Sequence, residues 1–199
     1  MAEPIAIQTV EVRLGQVQVR PGVILDDVKL YTTNVQITPP PEKGKQATIT
    51  ADETQFSGIL TEASLNALIS QVMANNPAMK NLQVALMSDK AKITGQFMAK
   101  FIPIPFTVEA IPRIENGVKI QLDFRAANAA VFSLPSSFVE SLEMTTNGKL
   151  NLDLARLLPF PVWLDTVRCE PGRLVIEGKA KIGYPLIPVG VQNAIRDMS

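Results

Sequence analysis

This 199-residue chain has one cysteine and no histidine with which to do reaction chemistry. A Ser-His-Asp or Cys-His relay needs an imidazole to carry the proton, and the usual zinc sites gather several Cys and His ligands, so neither can be built. Cys169 lies in the alternating run Val167-Arg168-Cys169, where a small buried hydrophobe is expected rather than a reactive thiol. With no second cysteine it makes no intramolecular disulfide. Glu109, Asp123 and Glu177 fall singly on outward strand positions and Asp89 and Glu115 fall in turns, which is the pattern of solvated surface and not of paired acid and base. Gly44 and its neighbours lack the spacing and the following helix of a phosphate-cradling loop. The expectation is no enzyme, no metal and no cofactor.

What the chain has in excess is apolar surface. Its composition is 46% hydrophobic, and much of that sits in strict alternation, as in Lys119-Ile120-Gln121-Leu122-Asp123-Phe124-Arg125-Ala126. Alternate side chains of a strand share one face, so such a sheet is apolar on one side and must bury it. Its own few helices or a hydrophobic ligand can provide the cover. Nineteen basic residues balance nineteen acidic ones, which gives no clustered positive charge for nucleic acid.

The elements that position these faces can be read along the chain. Residues 9–20 alternate, break phase at Gly15 and resume, as a strand with a bulge does. Residues 23–38 form a second extended segment that kinks near Thr32 to Asn34, and Pro39 to Lys45 reads as a loop. A strand over 47–57 leads to Thr61, an N-cap for a helix whose apolar stripe is Leu65, Leu68, Ile69, Val72 and Met73. Two strands follow around a turn at Ser88-Asp89-Lys90. Pro103 and Pro105 remove two donors from the next strand, which places it at an edge or crossing point. Asn116-Gly117 is a hairpin turn into a strand over 118–127. A second, shorter helix starts near Pro135 and ends at Asn147-Gly148, and residues 150–158 are open between strand and helix. A hairpin over 162–182 turns at Pro171-Gly172, and residues 191–198 read as a terminal helical turn or two. Hairpin connections predict an antiparallel α+β fold in one domain spanning 1–199, with a weak internal repeat at about 47–127 and 133–182.

Two stretches resemble the LmeA-like phospholipid-binding family. One is Ser57-Gly58-Ile59-Leu60-Thr61-Glu62-Ala63-Ser64-Leu65-Asn66-Ala67-Leu68, a strand running into a helix marked by Leu-Asn. The other begins Leu157-Leu158-Pro159-Phe160-Pro161-Val162-Trp163 and runs through the strand, turn and strand that end at Gly178. The family belongs with the tubular lipid-binding architectures. The resemblance therefore implies a long, strongly curved antiparallel sheet wrapped around one main helix, with an apolar tunnel for acyl chains. It also implies non-enzymatic binding, or transport, of a phospholipid or other long-chain lipid.

On that reading the tunnel lining is the set of inward phases: Leu65, Leu68, Ile69, Val72 and Met73 on the helix, with Ile93, Phe97, Ile104, Phe106, Ile120, Leu122, Phe124, Leu174 and Ile176 on strands. Each of these is equally what an ordinary packed core requires. Burying about fourteen methylenes at ~0.8 kcal/mol each gives on the order of 11 kcal/mol, more than the ordering cost of one flexible ligand. Phe160 and Trp163, held among prolines, form either an exposed apolar tip that dips into a membrane interface or a buried connection. Lys90, Lys92 and Lys100 either meet anionic headgroups or belong to a solvated strand face. The alternative function is a structural or assembly module whose apolar sheet face is covered by a protein partner or a second copy. Met1-Ala2-Glu3-Pro4 lacks the basic start of a signal peptide, and no stretch has the ~18 to 20 apolar residues that cross a bilayer. The chain thus reads as soluble, either cytoplasmic or the mature part of an exported protein.

Overall fold

A computed structural model describes residues 4–38, 48–74, 79–99, 102–129, 132–133, 136–150, 152–158 and 160–181. In chain order these form β1 (Ile5–Arg20), β2 (Val23–Thr38), β3 (Thr48–Thr50), β4 (Thr54–Thr61), α1 (Glu62–Met73), β5 (Met79–Met87), β6 (Lys90–Ala99) and β7 (Ile102–Glu115). Then come β8 (Lys119–Ala129), β9 (Phe132–Ser133), α2 (Ser136–Leu150), β10 (Leu152–Asp153), α3 (Leu154–Leu157), β11 (Val162–Glu170) and β12 (Arg173–Ala180). The loop at 39–45 and the terminal segment 191–198 lie outside the described residues.

All pairing is antiparallel, in two sheets. The first has the order β1-β2-β4-β12-β11, with β3 on the far end of β2; the second has the order β10-β8-β7-β6-β5, with β9 beside β8. Where the family resemblance implies one long sheet, there are two. The division arises because α1 interrupts the run of hairpins after β4, and β12 returns to pair with β4 through Leu174 and Leu60. Alternation along a strand says which face is buried but not which distant strand lies beside it.

The hairpins form where turn chemistry demands them. Asn116 and Gly117, both left-handed at φ 52° and 69°, make the tight β7–β8 turn, a backbone shape that L-residues with a bulky Cβ resist. The β1–β2 register shifts on either side of Gly15, as the broken phase predicts. The kink in β2 is real and has a cause: its inward row passes from Thr32 to Val35, and Asn34 takes φ 52°. Asp52 fastens that kink from the gap between β3 and β4. Its N–H donates to the Thr33 carbonyl at 3.1 Å, and its carboxylate accepts from Thr33 Oγ1 at 2.9 Å and Asn34 Nδ2 at 2.6 Å. The strand expected over 47–57 is consequently broken at 51–53.

Two further points follow from tertiary context. β7 is an interior strand of its sheet. Its prolines fit because, among the described residues, pairing with β8 begins at Phe106 and Pro103 and Pro105 pair with β6 alone, a local edge as their missing donors predict. The second helix is longer than the first, with fifteen residues against twelve, and runs through Asn147-Gly148. Asn147 spends its carboxamide on a neighbouring strand rather than on its own backbone, so it does not terminate the helix.

A continuous hydrophobic cluster joins both sheets and the helices, while Val35 and Ile37 form a small separate one with Ile5, Ile7, Val10 and Ile49. β11 and β12 approach closely beside a register shift between Leu164 and Thr166. Gly178 permits this: an added Cβ would fall on the Trp163 carbonyl oxygen and 2.8 Å from Leu164 Cα, both backbone atoms. Gly178→Ala is expected to lower stability by about 1–3 kcal/mol, read as a shifted urea midpoint at unchanged slope.

Candidate functional site

The site is the apolar interior between the second sheet and the elements that cover it, and two short polar devices position that cover. β5 ends the sheet on one side, and on the other β8 is flanked only by the two-residue strands β10 and β9 near its ends, so among the described residues both carry backbone groups with no strand partner along their middles. On β5, Val84 N–H donates to Asn66 Oδ1 at 2.7 Å, and Asn66 Nδ2 donates to the Val84 carbonyl at 2.8 Å. Leu86 N–H donates to Glu62 Oε2 at 2.8 Å. On β8 the same pattern recurs from α2. Leu122 N–H donates to Asn147 Oδ1 at 2.9 Å, Asn147 Nδ2 donates to the Leu122 carbonyl at 2.8 Å, and Phe124 N–H donates to Glu143 Oε2 at 3.2 Å. A carboxamide presents one donor and one acceptor as a peptide unit does, so each asparagine stands in for the next strand. The glutamate one helical turn earlier takes the following N–H, and the pair lays each helix antiparallel to the strand it seals.

α1 starts where the sequence places it, with Thr61 Oγ1 accepting from Ser64 N–H at 3.3 Å. It also touches the first sheet, since Ile24 N–H donates to Ser64 Oγ at 3.2 Å. Held on both sides, it directs Leu65, Leu68, Ile69 and Met73 into the interior. They share one buried cluster with Ile93, Phe106, Ile120, Leu122 and Phe124 of the second sheet and Leu174 and Ile176 of β12, with Ile176 at 0% exposure. Phe97 is half-buried at the margin of that cluster, and Ile104 is half-buried. The side chain of Val72 lies outside the described residues. Sequence reasoning passed over Leu82, which crosses Gly95 on the inner face, where an added Cβ would come within 2.5 Å of Leu82 Cδ2. It also missed Glu62, Asn66, Glu143 and Asn147. Their signal was in plain view: Glu-x-x-x-Asn occurs on both helices with the same spacing.

A cleft of about 360 Å³ opens at the C-terminal end of α1, lined by Ile69, Met73, Ala74, Met79 and Leu82 together with the polar Ser70, Lys80 and Asn81. A larger one of about 770 Å³ lies outside the first sheet, but its lining includes Asp52, Glu53, Asp165, Lys179 and Lys181, an environment unsuited to acyl chains. Phe160 is 4% exposed and meets Phe56 edge-on with centroids 6.2 Å apart, so it belongs to the core and not to a surface tip. Trp163, at 50% exposure, remains outside.

Comparison with known sequences bears on this interior. A sequence profile of the LmeA-like phospholipid-binding family matches residues 6–179. The chain belongs to that family. Neither curated proteins nor solved structures gave a match. In this LmeA-like chain the titratable groups with displaced pKa values lie away from the interior cluster or serve it passively. Arg168 holds the Glu177 carboxyl below its usual range through a 2.8 Å bond on the outer face. Burial, aided by the nearby Asp89 charge, pushes the Cys169 thiol up to about 11. Among the described residues no group of three or more His, Cys, Asp or Glu could hold a metal ion, and no helix is long and apolar enough to cross a membrane.

Two outcomes follow for the LmeA-like chain. Replacing Asn66 or Asn147 with alanine strands a strand N–H and C=O, so each change is expected to cost about 1–3 kcal/mol by chemical denaturation. Faster hydrogen exchange at Val84 or Leu122, respectively, would accompany it. Because the unfolded thiol ionises first, Cys169 makes native stability fall as pH rises from about 9.0 toward 11. Alkylation by iodoacetamide at pH 8 is expected to be slow in the native protein and to track unfolding.

Proposed function

We propose that the protein binds a phospholipid or another long-chain lipid without catalysing a reaction on it, and carries it between membranes. In this reading the fold is a tubular lipid-binding architecture, and the acyl chain occupies an apolar tunnel between α1 and the second sheet. The lining is Leu65, Leu68, Ile69, Val72 and Met73 from α1, Ile93, Phe97, Ile104, Phe106, Ile120, Leu122 and Phe124 from the sheet, and Leu174 and Ile176 from β12.

The observation that carries the proposal is the α1–β5 cleft. Its walls, Ile69, Met73, Met79 and Leu82, are themselves members or margins of the continuous interior cluster, so a chain lying in the cleft is already in contact with the core. α1 is fastened to β5 through Glu62 and Asn66 in its first half. A ligand enters by parting the C-terminal half of α1 from β5. Methionines at two of the cleft positions adapt to a flexible hydrocarbon at little cost.

Native mass spectrometry of protein purified without detergent is expected to show a bound lipid, and the stripped protein is expected to take up a fluorescent fatty acid. Protein that is repeatedly empty and takes up no probe would refute the proposal. Ala74 is exposed at the cleft and tolerates a large side chain without disturbing the core. Ala74→Trp is expected to cut probe uptake at least fivefold while changing stability by no more than about 0.5 kcal/mol.

The assembly reading draws on one feature, the inward row Val12, Leu14, Val17 and Val19 of the outer strand β1, which is only partly buried. Light scattering separates the two, since a monodisperse monomer that carries lipid contradicts an assembly module.

A further inference from the structure

The two ends of the second sheet are built differently. At the end that holds the β5–β6 and β7–β8 turns, the chain around β11 closes over the sheet. Asp89 N–H donates to the Cys169 carbonyl at 3.1 Å, Leu164 N–H to the Gly117 carbonyl at 2.6 Å, and Gly172 N–H to the Leu86 carbonyl at 3.0 Å. At the opposite end the inward row of β7 becomes a ramp. Ala110, Val108 and Phe106 are buried, Ile104 is half-buried and Ile102 is 68% exposed. β6 runs beside it with Ile93 buried and Phe97 half-buried, and Phe97 pairs with Ile104 on one side and with Met79 on the other. Met79 lines the α1–β5 cleft, so ramp and cleft share this end of the molecule.

Charge and backbone chemistry together select what the open end meets. Lys90 is paired with Glu109 at 2.7 Å and, with Lys92, lies toward the Asp89 turn at the closed end, which leaves Lys80 as the described lysine of this part of the sheet that faces the other way. Lys80 lines the cleft, on the open side. An exposed apolar row with Lys80 nearby suits an anionic lipid surface, where isoleucine reaches hydrocarbon and lysine stays at headgroup depth. A protein strand is a poorer fit. Pro103 and Pro105, both exposed, remove two donors from the overhanging part of β7, which interrupts the ladder that an added strand would need.

We propose that the Ile102 end of β6 and β7 is the surface that docks on anionic phospholipid bilayers, with Ile102 as its apolar anchor and Lys80 as its electrostatic contact. This rests on the lipid-binding reading above and gives it a direction: lipid passes from the membrane at the open end toward the interior, and the end near Trp163 faces away.

Co-sedimentation of the full chain with phosphatidylcholine vesicles, with and without phosphatidylglycerol, tests the proposal. The unaltered chain is expected to favour the anionic vesicles. Ile102→Asp is expected to lower binding to them about tenfold, with Ile102→Leu restoring it. Lys80→Glu is expected to lower binding by a similar factor at low salt and much less at high salt. Met144→Asp, at an exposed position on α2, is the control that leaves binding unchanged. Equal binding by Ile102→Asp and the unaltered chain, no binding by the unaltered chain, or a loss produced only by Trp163→Asp would each overturn the docking end. Uptake of a monomeric short-chain phospholipid by the unaltered chain is read separately. If uptake persists while the docking result fails, the lipid-binding reading stands alone; if uptake fails, both fall.

Discussion

A sheet that ends must satisfy the backbone groups on its last strands, and in this protein that requirement fixes where the helices lie. Water serves poorly where a helix covers the edge, and a buried N–H without a partner is costly. Asn66 and Asn147 resolve it with carboxamides that pair to Val84 and Leu122 as another strand would. Glu62 and Glu143 continue the pairing two residues further along. Once those bonds are made, the rotation of each helix is set, because residues four apart share a face. For α1 the inward stripe Leu65, Leu68, Ile69 and Met73 follows directly.

Sealed edges leave the apolar surplus of the chain one direction in which to go. The second sheet, α1 and β12 share a single hydrophobic cluster, and the few buried polar side chains include Ser64, Thr146 and Asp153. The exposed ion pairs of the first sheet, such as Arg168 with Glu177 and Lys179 with Glu53, lie on the other side of the strands. Cys169 is held neutral by the same burial that makes it a packing residue. A scaffold of this kind suits recognition of hydrocarbon, which needs area and exclusion of water more than it needs directed groups. Membership of the LmeA-like phospholipid-binding family agrees with that economy of functional side chains.

Local signals were legible wherever the residue acts on its own backbone. Thr61 caps α1, Asn116-Gly117 turns β7 into β8, Gly15 marks a bulge, and Thr32 to Asn34 marks a kink. The same residue types misled where a distant partner intervened. Asn147-Gly148 has the composition of a helix stop, yet Leu122 captures the asparagine and the helix continues. Pro103 and Pro105 read as an edge, which holds only locally, since the strand is otherwise interior. Phe160 read as either tip or connection, and Phe56, about a hundred residues away in sequence, accounts for its burial.

By itself the sequence determined that the chain has no histidine, that its strands are apolar on one face, and that hairpins dominate its connections. These are properties of composition and of short-range geometry, which any neighbourhood of the chain carries. Only the tertiary structure decided that there are two sheets, that two asparagines pair with backbone groups of the second of them, and that the inward row of β7 runs from buried Ala110 to exposed Ile102. Each of those depends on which backbone groups, far apart in sequence, come within hydrogen-bonding distance, and alternation along a strand is blind to that distance.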